Sequence, residues 1–154
     1  MRRRVGAQAL VELALVLPLL LTLVFATAAV GRLVQVHMAV DGVAREAARE
    51  ATLAPIPADP ASDPKWAAEQ AAAGAQARQM AINRGVDVAR GYGLRGLNAS
   101  DIQVDDAPFD RGAWVTVSVT YAVDQSDLPF VPFKVGPYTA HARQRVDKYR
   151  SRSL

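Results

Sequence analysis

The feature that most restricts this chain is a run without formal charge at residues 13–31, LALVLPLLLTLVFATAAVG, placed shortly after Arg2, Arg3 and Arg4. Extended upstream by Ala9, Leu10 and Val11, it reaches the roughly 20 apolar residues needed to cross a bilayer core about 30 Å thick. No soluble domain of this size hides such a segment easily, so the fold must be built around an anchor. Basic residues before the run and none after it until Arg32 predict an N-terminus on the cytoplasmic side. A cleavable secretory signal is the competing reading, because Ala26-Thr27-Ala28 offers an A-x-A site and release would leave a product beginning at Ala29. Glu12, at the mouth of the run, and a helical pattern that continues past Ala28 both favour the anchor.

An ionisable group there is informative because a charged side chain at the centre of a membrane helix costs on the order of 2.5–3.5 kcal/mol, and less near the interface. Glu12 either snorkels to the headgroups or meets a cation from another molecule. The residues around it, Gln8-Ala9-Leu10-Val11-Glu12-Leu13-Ala14-Leu15-Val16-Leu17-Pro18, resemble the start of TadE-like proteins, the TadE/TadF/TadG-type minor pilins or pseudopilins of Tad (Flp) pilus assembly systems. The stretch Ala44-Arg45-Glu46-Ala47-Ala48-Arg49 is similar to the signature that follows the membrane helix in the same family.

That resemblance implies a structural subunit of a Tad pilus or a related secretion apparatus, with no catalysis and no cofactor. It implies a bacterial inner-membrane protein with its C-terminal part periplasmic or extracellular. Its partners would be other pilin subunits, the inner-membrane assembly platform, a prepilin peptidase and membrane lipid. With Glu12 as fifth mature residue, the peptidase would cut between Ala7 and Gln8. The family has glycine before the cut, and here glycine stands one place earlier, at Gly6. Glu12 and Pro18 would serve subunit assembly, Glu12 by pairing with a neighbour's freed N-terminal amine.

Residues 32–52 contain no proline, and Val36, Val40, Val43, Ala44, Ala47 and Ala51 share one helical face. Asp41 with Arg45 and Glu46 with Arg49 are opposite charges at helical spacing. One helix over residues 8–52 would be roughly 67 Å long, about twice a bilayer core, so its second half must project. Pro18 would kink it. The expected organisation is a basic leader at 1–7, a transmembrane helix at 8–31, its continuation at 32–52 and a small α+β domain at 53–154.

Within 53–154, Leu53 to Pro64 reads as a proline-rich loop. Asp63 can cap a helix that begins at Pro64, carries Trp66, Ala73, Ala77 and Met80 along one side, and stops at Gly85. The glycines at 85, 91, 93 and 96 mark a loop with a short helical turn. The period then changes to two. Ile102 and Val104 alternate with polar residues. Val115, Val117, Val119, Tyr121 and Val123 alternate with Trp114, Thr116, Ser118, Thr120 and Ala122. Asp110-Arg111-Gly112 is a turn between these runs. Residues 124–134 form a longer connection with prolines at 129 and 132. A third strand at about 136–148 places Tyr138, Ala140, Ala142 and Val146 on one face, and Thr139, His141, Arg143, Arg145 and Asp147 on the other. Consecutive strands with no helix between them predict a three-stranded antiparallel sheet, packed on the outer half of the long helix and on the second helix.

Composition narrows function further. With no cysteine there is no disulfide, thiolate nucleophile or Cys-ligated zinc. His37 and His141, the two histidines, lack companions at metal-ligand spacing. Asp105, Asp106 and Asp110 read as turn chemistry. Gly91-Tyr92-Gly93 is too short for a nucleotide fingerprint, and no phosphate-binding loop or nucleophile elbow is present. Setting aside Arg2, Arg3, Arg4 and Glu12 leaves 15 basic and 14 acidic residues of the 18 and 15 in the whole chain. The outer part is therefore close to neutral, which disfavours nucleic acid as a partner. The locally basic end, Arg143, Arg145, Lys148, Arg150 and Arg152, supports the alternative of an anchored envelope protein that binds a partner or DNA through a basic sheet face.

Overall fold

The structure is a computed structural model that describes residues 2–57, 65–105, 109–123 and 135–149, with side chains from residue 9 onward. Two helices, α1 (Arg2–Ala51) and α2 (Trp66–Gly91), precede three strands, β1 (Ile102–Val104), β2 (Trp114–Tyr121) and β3 (Tyr138–Arg145). A 3-10 turn at Ala99–Asp101 leads into β1. This is the α+β arrangement expected: a long apolar N-terminal helix, a second helix and a three-stranded antiparallel sheet.

The 50 residues of α1 correspond to roughly 75 Å. Helix persists through Pro18, although proline supplies no N–H to the carbonyl four residues earlier. One turn on, the Thr22 hydroxyl donates to the Pro18 carbonyl at 2.8 Å, and Thr27 donates to Leu23 at 2.6 Å. These bonds bury the hydroxyls against their own backbone, which suits a helix with no water beside it. Farther along, the face anticipated from sequence is the buried one: Val36, Val40, Val43, Ala44, Ala47 and Ala51 are at most 2% exposed.

The helix stop anticipated at Gly85 is not there. α2 runs through it to Gly91, because Gly85 serves close packing. A Cβ on it would stand 2.6 Å from Ile102 Cδ1 and 3.5 Å from Ala47 Cβ. Ala73, Ala77, Ala81, Gly85 and Ala89 form the buried stripe of α2, which lies on the small residues of α1. The true stop is about two turns later. Gly93, at φ +72°, lets its N–H reach Arg90 O and the Leu94 N–H reach Ala89 O, both at 3.0 Å, closing the helix in a Schellman motif. The Asp63–Pro64 cap, most of the proline-rich loop and the 124–134 connection lie outside the described residues.

The sheet order is β1-β2-β3, all antiparallel, with Ile102 opposite Val119 and Val117 opposite Ala142. The Asp110–Gly112 turn is present. The Asp110 carboxylate accepts the Arg111 N–H at 2.6 Å, its carbonyl accepts the Ala113 N–H at 3.0 Å, and Gly112 has φ +73°. The alternating face of β2 is buried at Val115, Val117, Val119 and Tyr121. It packs on α1, as does β3, while β1 packs on α2. Val40, Val43, Val117, Val119, Val146 and Ile56 are the large side chains at the centre of this core.

Candidate functional site: an uncovered apolar helix

Ala9–Ala51 is the one candidate span among the described residues, and no part of its most apolar window is buried. Leu15, Leu19 and Leu23, spaced one turn apart, are 73%, 71% and 65% exposed. Nothing among the described residues covers them. At about 25 cal/mol per Å² of apolar surface, such a rod cannot stay in water. It calls for an apolar environment such as lipid.

Glu12 lies on this rod, exposed and without a hydrogen-bond or ion-pair partner among the described residues. Pro18 is six residues farther, roughly 9 Å along the axis. Gly6, Ala7 and Gln8 continue the same helix as backbone. The expected positions therefore fall on one unbroken helix.

Burial begins abruptly at Val36, where the sheet joins the helix. His37 stacks on Tyr138, with ring centroids 4.1 Å apart and 22° between planes. The Tyr138 hydroxyl donates to Asp41 Oδ1 at 2.9 Å, and Arg45 Nε donates to the Asp41 carbonyl at 3.2 Å. The Tyr138 pKa is raised above 10.0, first by the hydrogen bond to Asp41, then by burial and by the Asp41 charge, with Arg45 opposing. The pairings anticipated from helical spacing are replaced. The Asp41 carboxylate serves Tyr138 instead of Arg45, and Glu46 reaches across to Arg84 of α2 at 3.4 Å instead of to Arg49. Longer-range partners win because α1 is a packed helix here, with neighbours on most sides.

The family described as TadE-like protein matches residues 7–49. Over that segment the chain is similar to TadE-like proteins. No curated protein and no solved structure matches the chain.

The matched segment contains Glu12, Pro18 and the junction at His37 and Asp41. Its second signature now has a physical reading. Ala44, Ala47 and Ala48 are buried, Arg45 and Arg49 are exposed, and Glu46 pairs with α2. Small residues allow a second helix to approach closely, and the charged ones flank that contact.

Other chemistry is sparse. Among the described residues no group of three or more His, Asp or Glu could hold a metal ion. His141 Nδ1 lies 2.9 Å from the Ser118 hydroxyl. The pairings of Tyr138 with Asp41, and of Trp114 with Arg143, were not readable in sequence. Both join residues far apart in the chain, and no local period signals them.

Proposed function

We propose that this chain is a minor-pilin or pseudopilin-type structural subunit in assembly of a Tad pilus or a related secretion apparatus. The observation that carries the reading is the uncovered apolar rod with an unpartnered carboxylate at Glu12, within a TadE-like segment. Positive-inside topology puts the arginines in the cytoplasm and the sheet domain outside the cytoplasm, anchored in the bacterial inner membrane. Prepilin peptidase removes the basic leader at Ala7–Gln8 or at Gly6–Ala7. The rod then packs on the helices of other pilin subunits, at the assembly platform, and Glu12 neutralises a neighbour's terminal amine. That pairing fixes axial register, because misregistry leaves a carboxylate unpaired in lipid. The role is structural, without catalysis.

The test is Glu12→Ala in the native host. Carbonate-resistant membrane association should persist, while co-purification with other pilin subunits and pilus formation fall at least tenfold. Normal assembly in this variant would overturn the proposal. Intact mass of the mature chain locates the cut: a start at Gln8 or Ala7 is the expected result, and a soluble product starting at Ala29 refutes the anchor.

A further inference from the structure

Strand β3 starts beside His37 and Asp41 and ends at Arg145, roughly 23 Å farther at about 3.3 Å per residue. Its far end lies away from the apolar half of α1. Two contacts fix that direction. Phe109 lies by Gly74, and Lys148 and Arg145 lie by Gly112. Gly74 precedes Gly85 on α2, which runs antiparallel to α1, since Arg84 meets Glu46 while Tyr92 meets Gly42.

At this remote end the solvent face of the sheet carries an unusual group. The Arg143 guanidinium sits 4.5 Å from the centre of the Trp114 ring, and that of Arg145 sits 5.7 Å from it. Trp114 is still 43% exposed. Arg145 Nε donates to the Gly112 carbonyl at 3.0 Å. Neither guanidinium has an acidic partner among the described residues. Two like charges held on one indole repel each other, and the ring orients them. Their remaining N–H groups form forks suited to an oxyanion.

We propose that this remote sheet face, centred on Trp114, Arg143 and Arg145, is a docking surface for an acidic polysaccharide. The charge pattern selects that class. Basic groups occupy one end of the face, and hydroxyls occupy the rest. Thr120 and Thr139 pair at 3.0 Å, and Ser118 pairs with His141. Asp105, in register with Thr116, and Asp147 dilute the positive field. A chain that alternates carboxylates with neutral hydroxyls matches such a surface. A nucleic acid does not, because it needs a broader basic footprint and several free aromatic faces for stacking, and this face offers one indole already covered by Arg143. The anchoring membrane is out of reach, since the group points away from the apolar rod.

This inference is independent of pilus assembly. The full-length protein in detergent micelles is tested by biolayer interferometry against immobilised polygalacturonate, dextran and a single-stranded oligonucleotide. Polygalacturonate should bind and dextran should not, with affinity falling as salt rises. Arg143→Gln/Arg145→Gln should weaken binding at least tenfold, and Arg143→Gln alone several-fold. Arg90→Gln/Arg95→Gln, which removes equal charge elsewhere, should change it less than twofold. Each variant must melt like the parent; if the double variant does not, the single one decides. No binding of polygalacturonate, equal binding of dextran, tighter binding of the oligonucleotide, or equal losses in both double variants would each overturn the proposal.

Discussion

Tyr138→Phe removes one oxygen and isolates the joint between sheet and anchor helix. The lost bond is 2.9 Å long and its acceptor is the Asp41 carboxylate. Hydrogen bonds to charged groups contribute about 1.5–3 kcal/mol, and partial solvent access at this half-buried site lowers that to roughly 1–2 kcal/mol after screening. The ring stays, so the stack on His37 is retained and no cavity opens. For a domain of this size about 1 kcal/mol moves the melting temperature by roughly 4–8 °C, well within reach of thermal unfolding followed by circular dichroism in detergent. The pH dependence gives a second signature. The folded pKa of Tyr138 is raised above its ordinary 10.0, so the unfolded chain loses this proton first as pH rises. The stabilisation is complete below pH 10 and is lost as pH climbs through the higher folded value. Parent and variant should therefore differ at pH 7–9 and converge above pH 10. A gap that is absent at pH 7, or that widens above pH 10, would refute the argument.

Two further perturbations probe the packing and the anchor. Gly85→Leu places a side chain where a Cβ alone would already be 2.6 Å from Ile102. Overpacking of about 1–3 kcal/mol should outweigh the gain of about 1 kcal/mol in helix propensity and lower the urea midpoint, whereas Gly91→Ala, with open space around it, should leave the midpoint unchanged or slightly raised. Leu19→Arg puts a charge into the uncovered rod at a cost of roughly 2.5–3.5 kcal/mol and should reduce the carbonate-resistant membrane fraction; undiminished anchoring would mean that this stretch does not cross the bilayer.

Periodicity made much of this architecture legible. A 3.6-residue pattern over Val36, Val40, Val43 and Ala47 marked the buried face of α1, and strict alternation from Trp114 to Tyr121 marked β2 and its inner side. Gly85 misled because glycine has two unlike uses. As a helix stop it supplies positive φ, the part Gly93 plays; inside a helix it removes a side chain so that another can approach. Which use applies depends on Ile102, seventeen positions away and on a different element. The Asp41 and Glu46 partners were obscured for a related reason. Helical spacing offers each a nearby arginine, and tertiary packing supplies Tyr138 and Arg84 instead. Of the positions proposed for assembly, Glu12 was conspicuous because burying charge in an apolar run is costly.

One helix meets two environments, and the change comes between Val34, 50% exposed, and Val36, 2% exposed. Below it the surface is large and branched, suited to a partner outside the chain. Above it the surface is small, with Ala44, Ala47, Ala48 and Ala51 letting α2 and the sheet close onto the helix. An Ala-based contact removes little apolar area per residue, so the domain depends on close fit rather than bulky anchors. The joint at His37, Asp41 and Tyr138 stands within two turns of this change. With no loop between the two halves, an axial shift of the rod carries the sheet with it. If Glu12 sets subunit register as proposed, the same pairing would also position the remote sheet face at the opposite end of the chain.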